Sequence, residues 1–180
     1  MKEKIFKILP WFVLVIAIVG ILLYFFLGKR VTENERSLYD EKIKQAELNF
    51  DGREYSEAIN LYYEASSIIP QELTAYKGII DILLLKNRAD EALSIVREST
   101  RAISANERSN LYKLIGDYYY SQADFEKAKE MYQEGLGLGV DNIDAEFALG
   151  KALLNIGRVD EGLKQIEKNK YEGDVAVEAN

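Results

Sequence analysis

Four times along the chain a small residue sits in the middle of an amphipathic stretch, and the four are nearly evenly spaced. Aligning "REYSEAINLYYEA" (53–65), "RADEALSIVRES" (88–99), "ADFEKAKEMYQEG" (123–135) and "GRVDEGLKQIEKN" (157–169) superposes Ala58, Ala92, Ala128 and Gly162, at intervals of 34, 36 and 34 residues. Four residues later comes a larger apolar group, Tyr62, Val96, Tyr132 and Ile166, and three further on a small or short one, Ala65, Ser99, Gly135 and Asn169. A period of this length predicts paired helices stacked as a solenoid. Small side chains let two antiparallel helices approach, and the larger ones fill the space between neighbouring pairs. Pro70 is the only proline after Arg30, and no stretch alternates like a strand, so nearly continuous helix is expected. Thr32 to Glu35 reads as a capping box that starts the first helix.

The third unit carries Tyr112, Ile115-Gly116, Tyr119, Phe125, Ala128 and Tyr132 in sequence. The fourth keeps Leu149-Gly150, Leu153, Gly157, Val159 and Ile166, with Gly162 in place of alanine. The second keeps Tyr76, Ile79, Leu83, Ala92 and Val96, with Ile80 where a small residue is usual. The first has Ala46, Phe50, Tyr55, Ala58, Tyr62, Ala65 and a closing Pro70, but Lys42, Gln45 and Asn49 where large apolar residues are usual. In these residues the chain resembles the tetratricopeptide repeat family, over roughly residues 37–174. Tyr119 is then a packing residue, with Tyr118 and Tyr120 about 100° to either side of it, Tyr120 toward the inner face.

The amino-terminal region differs. No charge occurs between Lys7 and Lys29, and "PWFVLVIAIVGILLYFFL" (10–27) is apolar almost throughout. At about 1.5 Å per residue this length matches a hydrocarbon core of about 30 Å, and Trp11 and Tyr24 stand where interfacial anchors stand. The expectation is an all-α chain: an N-terminal single transmembrane helix followed by an α-solenoid of about four tetratricopeptide-type helix pairs. The expected boundaries are a basic tail (1–9), an anchor (10–28), a short linker and helix start (29–36) and a repeat domain (37–180). The units fall at about 39–72, 73–106, 109–142 and 143–176. Basic residues nearly balance across the span, and the acids after it tip the expected topology toward a single-pass membrane protein with its repeats on the extracytoplasmic side.

The chain has no cysteine and no histidine, which removes disulfides, thiolate metal sites and the commonest general base. No catalytic, cofactor or metal residue is assigned, and the expectation is a protein that is not an enzyme. After Arg30 the net charge is about −11, from 18 basic and 29 acidic residues, which argues against nucleic acid as a partner. "GLGLG" (135–139) leads out of a helix and is not a phosphate loop. Asp90-Glu91 and Asp160-Glu161 fall at helix starts, where acids complement the dipole.

The family resemblance implies that ligands lie in the groove made by the first helix of each pair. The matching positions are Ile43, Glu47 and Phe50; Lys77, Asp81 and Leu84; Lys113, Asp117 and Tyr120; Phe147, Lys151 and Leu154. Some relatives hold a terminal carboxylate with a clamp of lysine, arginine and asparagine. Ile43, Glu47 and Leu114 occupy clamp positions here, so that device is not expected. Lys77/Asp81 and Lys113/Asp117 are equally well read as i,i+4 pairs worth about 0.2–0.5 kcal/mol each. The expected function is a membrane-anchored scaffold or adaptor binding a protein or peptide, in assembly of a membrane or envelope complex. Alternatives are an oligomerising accessory subunit recruited through its transmembrane helix, or the non-catalytic part of a larger enzyme or transport machine. Further expected partners are the bilayer, through residues 10–28, and a second copy, through the C-terminal repeat. The end of the chain (171–180) is expected to be poorly ordered.

Overall fold

The computed structural model describes residues 31–167. Contacts divide the chain into two compact units, Met1–Arg36 and Ser37–Asn180. Seven α-helices have defined bounds: α1 (Glu33–Asp51), α2 (Tyr55–Ile68), α3 (Leu73–Leu85), α4 (Ala89–Glu98), α5 (Ala105–Ser121), α6 (Phe125–Leu136) and α7 (Ile143–Asn155). A 3₁₀ turn, Ser99–Arg101, extends α4, and an eighth helix, α8, begins at 159 and is described to 167. Within residues 37–167, α2 to α7 each pack on the next, and α3, α5 and α7 also pack on one another in series; α1 joins the same core through Tyr39 and Ala46, and α8 meets α7 where Gly150 lies against Ile166.

The reversals inside the four pairs are alike. Each first helix ends on a residue with left-handed backbone, Arg53 (φ 64°), Asn87 (φ 57°), Ala123 (φ 59°) and Gly157 (φ 85°). The amide that follows reaches back to the fifth carbonyl before it: Glu54 to Asn49 (2.8 Å), Arg88 to Leu83 (2.8 Å), Asp124 to Tyr119 (3.0 Å) and Arg158 to Leu153 (2.9 Å). This closure satisfies carbonyls that the helix end would otherwise orphan. Only one of the four positions is glycine, so the motif is hard to read from sequence.

Helix starts are also secured locally. The expected box at α1 is present, with Glu35 N–H donating to Thr32 Oγ1 (3.1 Å) and Thr32 N–H to Glu35 Oε2 (2.9 Å). α5 has the same reciprocal pair between Ser104 and Glu107, and Asp124 and Asn142 accept from the first turns of α6 and α7. At α4 and α8 the guanidinium forks of Arg88 and Arg158 grip Glu91 and Glu161, holding both carboxyls below their usual range.

The small residues do what the spacing requires. A Cβ on Gly116 would lie 2.5 Å from the Tyr132 ring, and one on Gly150 would lie 2.6 Å from Ile166. In α8 a Cβ on Gly162 would lie 2.9 Å from the Gly150 carbonyl oxygen and 2.9 Å from Leu154, so alanine at this crossing would displace backbone. In the second unit Ile80 and Val96 stand at the corresponding positions, and both are fully buried. The first pair is in register too: Tyr39 and Ala46 are buried, Ile43 and Phe50 pack against the core, and Lys42 turns outward to pair with Glu64 at 2.7 Å.

The expected transmembrane helix, and with it the single-pass membrane localisation, extracytoplasmic placement and bilayer contact, is corrected. No helix among the described residues is long and apolar enough to cross a membrane. The longest, α1, has 19 residues but reads "ENERSLYDEKIKQAELNFD", with a charge in every turn. Residues 10–28, on which the anchor was placed, and 171–180 lie outside the described residues.

Candidate partner-binding groove

The first helices α3, α5 and α7 line a groove of about 380 Å³. Its wall is Leu73, Leu111 and Leu114, with Lys77, Asn110, Lys113, Asp117 and Asp144 around them. Asn110, Lys113 and Asp117 share one face of α5 because they are three and four residues apart. The result is an apolar floor ringed by both signs of charge.

The charged groups are held in place. Lys77 Nζ donates to Asp81 (2.7 Å), and Lys113 Nζ donates to Asp117 Oδ2 (2.8 Å). The other oxygen of Asp117 accepts from the buried Tyr132 hydroxyl at 2.8 Å. Burial first, and then that hydrogen bond, push the Tyr132 phenol well above its ordinary range, so it remains a donor. Asp117 is thereby tied to the core as well as to the groove. The i,i+4 reading is correct for both lysines, and it is compatible with a groove role.

Of the twelve positions assigned from sequence, Lys77, Lys113 and Asp117 line this cavity. Asp81 adjoins it through Lys77. Leu84 is buried in the core, and Ile43 and Phe50 are half-buried against it, leaving Glu47 exposed on α1. Farther along, Lys151 Nζ lies 5.3 Å from the ring centre of Phe147 and 5.5 Å from that of Tyr120. Phe147 is exposed, and Leu154 is half-buried, leaning on Gly162. The tyrosine triplet is divided among three tasks. Tyr118 donates to Asn87 of the preceding unit (3.0 Å), Tyr120 accepts from Asn155 of the following one (2.9 Å), and Tyr119 is half-buried against the core.

Sequence reasoning did not assign Leu73, Asn110, Leu111 or Asp144, and it placed Leu114 only at a clamp position. A helical-face test on Lys113 and Asp117 would have added Asn110; the others depend on how far neighbouring helices splay. Also unforeseen is Asn142. Its amide donates to Ser109 (3.0 Å) and Asn110 (2.9 Å) while its oxygen caps α7, so one buried side chain joins the third and fourth units. Among the described residues no group of three ligating side chains could hold a metal ion.

No family model matches the chain. Among curated proteins it is similar to anaphase-promoting complex subunit 7 of Arabidopsis thaliana, at 28% identity over 113 residues, 62% of this chain and 20% of that protein. It therefore spans about a fifth of that relative's length. Among solved structures, MamA matches at TM-score 0.56 and 17% identity, covering 78% of this chain and 81% of that one. The TPR2AB domain of yeast Sti1, in complex with pHSP90, matches at TM-score 0.56 and 19% identity, covering 69% and 49%. Pseudomonas aeruginosa PilF matches at TM-score 0.54 and 16% identity, covering 76% and 62%. At these identities the likeness concerns the fold, and the fold is that of tetratricopeptide repeat proteins.

Proposed function

We propose that this chain is a non-enzymatic binding scaffold that holds a segment of a partner protein along the groove of α3, α5 and α7, as part of a multiprotein assembly. The observation that carries this reading is the groove itself, with three leucines on its floor and lysine–aspartate pairs on its rim. Apolar side chains of an extended or helical segment would be desolvated there. The rim would orient the segment, since charged groups give direction and specificity more than raw affinity. The Sti1 domain bound to pHSP90 supports the class of ligand, and the Arabidopsis relative supports a place within a complex. The assigned residues Ile43, Glu47, Phe50, Lys77, Asp81, Leu84, Lys113, Asp117, Tyr120, Phe147, Lys151 and Leu154 are retained as the trace of that surface, with Leu84 as its support from beneath.

The test is site-specific photo-crosslinking of the full chain in its native lysate. A benzophenone amino acid replaces Asn110 in the groove or Glu134 on α6. The expected result is a discrete adduct from position 110, lost in a Lys77→Glu, Lys113→Glu background. Equal adducts from both positions, or an adduct insensitive to the lysines, would overturn the groove as the site.

A further inference from the structure

The inner positions of the repeat form rows along the first helices, and one row changes sign at the fourth unit. Glu47, Asp81 and Asp117 occupy it in the first three units, and Lys151 occupies it in the fourth. One turn earlier on the same face, Lys77 and Lys113 give way to Phe147, which is 45% exposed. In α3 and α5 each lysine is answered within its own helix, Lys77 by Asp81 and Lys113 by Asp117. In α7 the residue four after Lys151 is Asn155, whose amide is committed to the Tyr120 hydroxyl and the Lys151 carbonyl, both at 2.9 Å. Among the described residues no carboxylate pairs with Lys151. Its ammonium lies over the Phe147 and Tyr120 rings, and Tyr120 is itself held edge to face by Phe125 at 5.1 Å. Two ring faces attract and place a cation without neutralising it.

We propose that Lys151 receives a carboxylate side chain, aspartate or glutamate, of the partner segment held in the groove, with an apolar neighbour of that residue resting on Phe147. The inference rests on the groove being the partner site and adds to it the sign and place of one contact. Charge complementarity selects the occupant. A cation already fixed between two rings loses little freedom when an anion meets it, so the contact is preorganised. A phosphate draws several donors or an arginine fork, and here the row beside the single ammonium continues with Asp117 and Asp81, which repel a dianion. A carboxylate carries one charge, which Lys151 matches.

The probe is a display library of random dodecapeptides, flanked by constant sequence on both sides so that none offers a free terminus or a phosphate, selected on the immobilised full chain. Peptides enriched on the wild-type chain should carry aspartate or glutamate at one aligned position beside an apolar residue. Those enriched on Lys151→Glu should carry lysine or arginine there. With one selected peptide labelled and followed by fluorescence anisotropy, changing its acid to glutamine should weaken binding to the wild-type chain about threefold to tenfold, the range from an exposed to a partly sheltered charge pair. The same change should have no effect on Lys151→Met. Lys151 is exposed, so both variants should melt like the wild type by circular dichroism. An acidic preference that persists on Lys151→Glu, or no charge preference at all, overturns the inference alone, provided that binding is still lost on Lys77→Glu, Lys113→Glu. Peptides indifferent to that double change overturn the groove as the site and the inference with it, and so does a selection that enriches nothing.

Discussion

The second and third units solve one packing problem in opposite ways. In the third, glycine on the first helix receives a tyrosine from the second, Gly116 against Tyr132. In the second unit the volume is divided more evenly, Ile80 on one side and Val96 on the other, and both are fully buried. The joint is thus filled either by one ring lying over a glycine or by two branched side chains, with the surrounding helices close-packed around it. The third solution also has a polar consequence. Tyr132 carries a hydroxyl through to Asp117, so its groove aspartate is anchored from the core; Val96 offers Asp81 nothing of the kind.

The most severe test of that equivalence is to impose the third unit's solution on half of the second. Val96→Tyr should destabilise by about 3 kcal/mol, because a ring has to enter a joint already filled by Ile80. Adding Ile80→Gly should recover part of the loss, with a coupling of about 0.5–3 kcal/mol measured by urea midpoints. Purely additive effects would separate the two positions and end the comparison.

Glycine to alanine comes next. Such a change in a helix ordinarily stabilises by up to about 1 kcal/mol. Gly116→Ala and Gly162→Ala should instead destabilise by about 1–3 kcal/mol, since the new methyl meets a tyrosine ring in one case and the Gly150 carbonyl in the other. A rise in the thermal midpoint of either variant would show that the crossings are looser than described.

Tyr132→Phe isolates the polar difference between the units. It should cost about 1 kcal/mol, a modest sum because water can reach the half-exposed Asp117 in place of the hydroxyl. The equivalent carboxylate in the second unit, Asp81, should be unaffected, as chemical shifts of the two carboxyl carbons would reveal.

The reversals provide a smaller contrast. Ala123→Gly should stabilise by up to about 1 kcal/mol, because a left-handed residue with a Cβ is strained, and Gly157→Ala should destabilise by a similar amount. Smallest of all, Lys77→Ala should shift stability by less than about 0.5 kcal/mol, as expected for an exposed i,i+4 pair, and be seen in partner binding instead.

Much of this was legible beforehand. The helix pairs followed from the spacing of Ala58, Ala92, Ala128 and Gly162, since periodic small and large residues have few other uses. The groove was only partly legible. Of the positions assigned from sequence, Lys77, Lys113 and Asp117 line the cavity of α3, α5 and α7, while Leu84 is buried. The apolar run at 10–28 led to an anchor that the described helices do not supply.

The sequence by itself determined the number and direction of the helices and the places where they cross, because helical periodicity and side-chain size are local properties that survive in a one-dimensional reading. Tertiary structure decided which of several equivalent positions became groove or core. That Tyr132 anchors Asp117 and that Asn142 joins two units depend on contacts between residues 15 to 33 apart. Such contacts are fixed by how whole helices pack, and no spacing within a single helix encodes them.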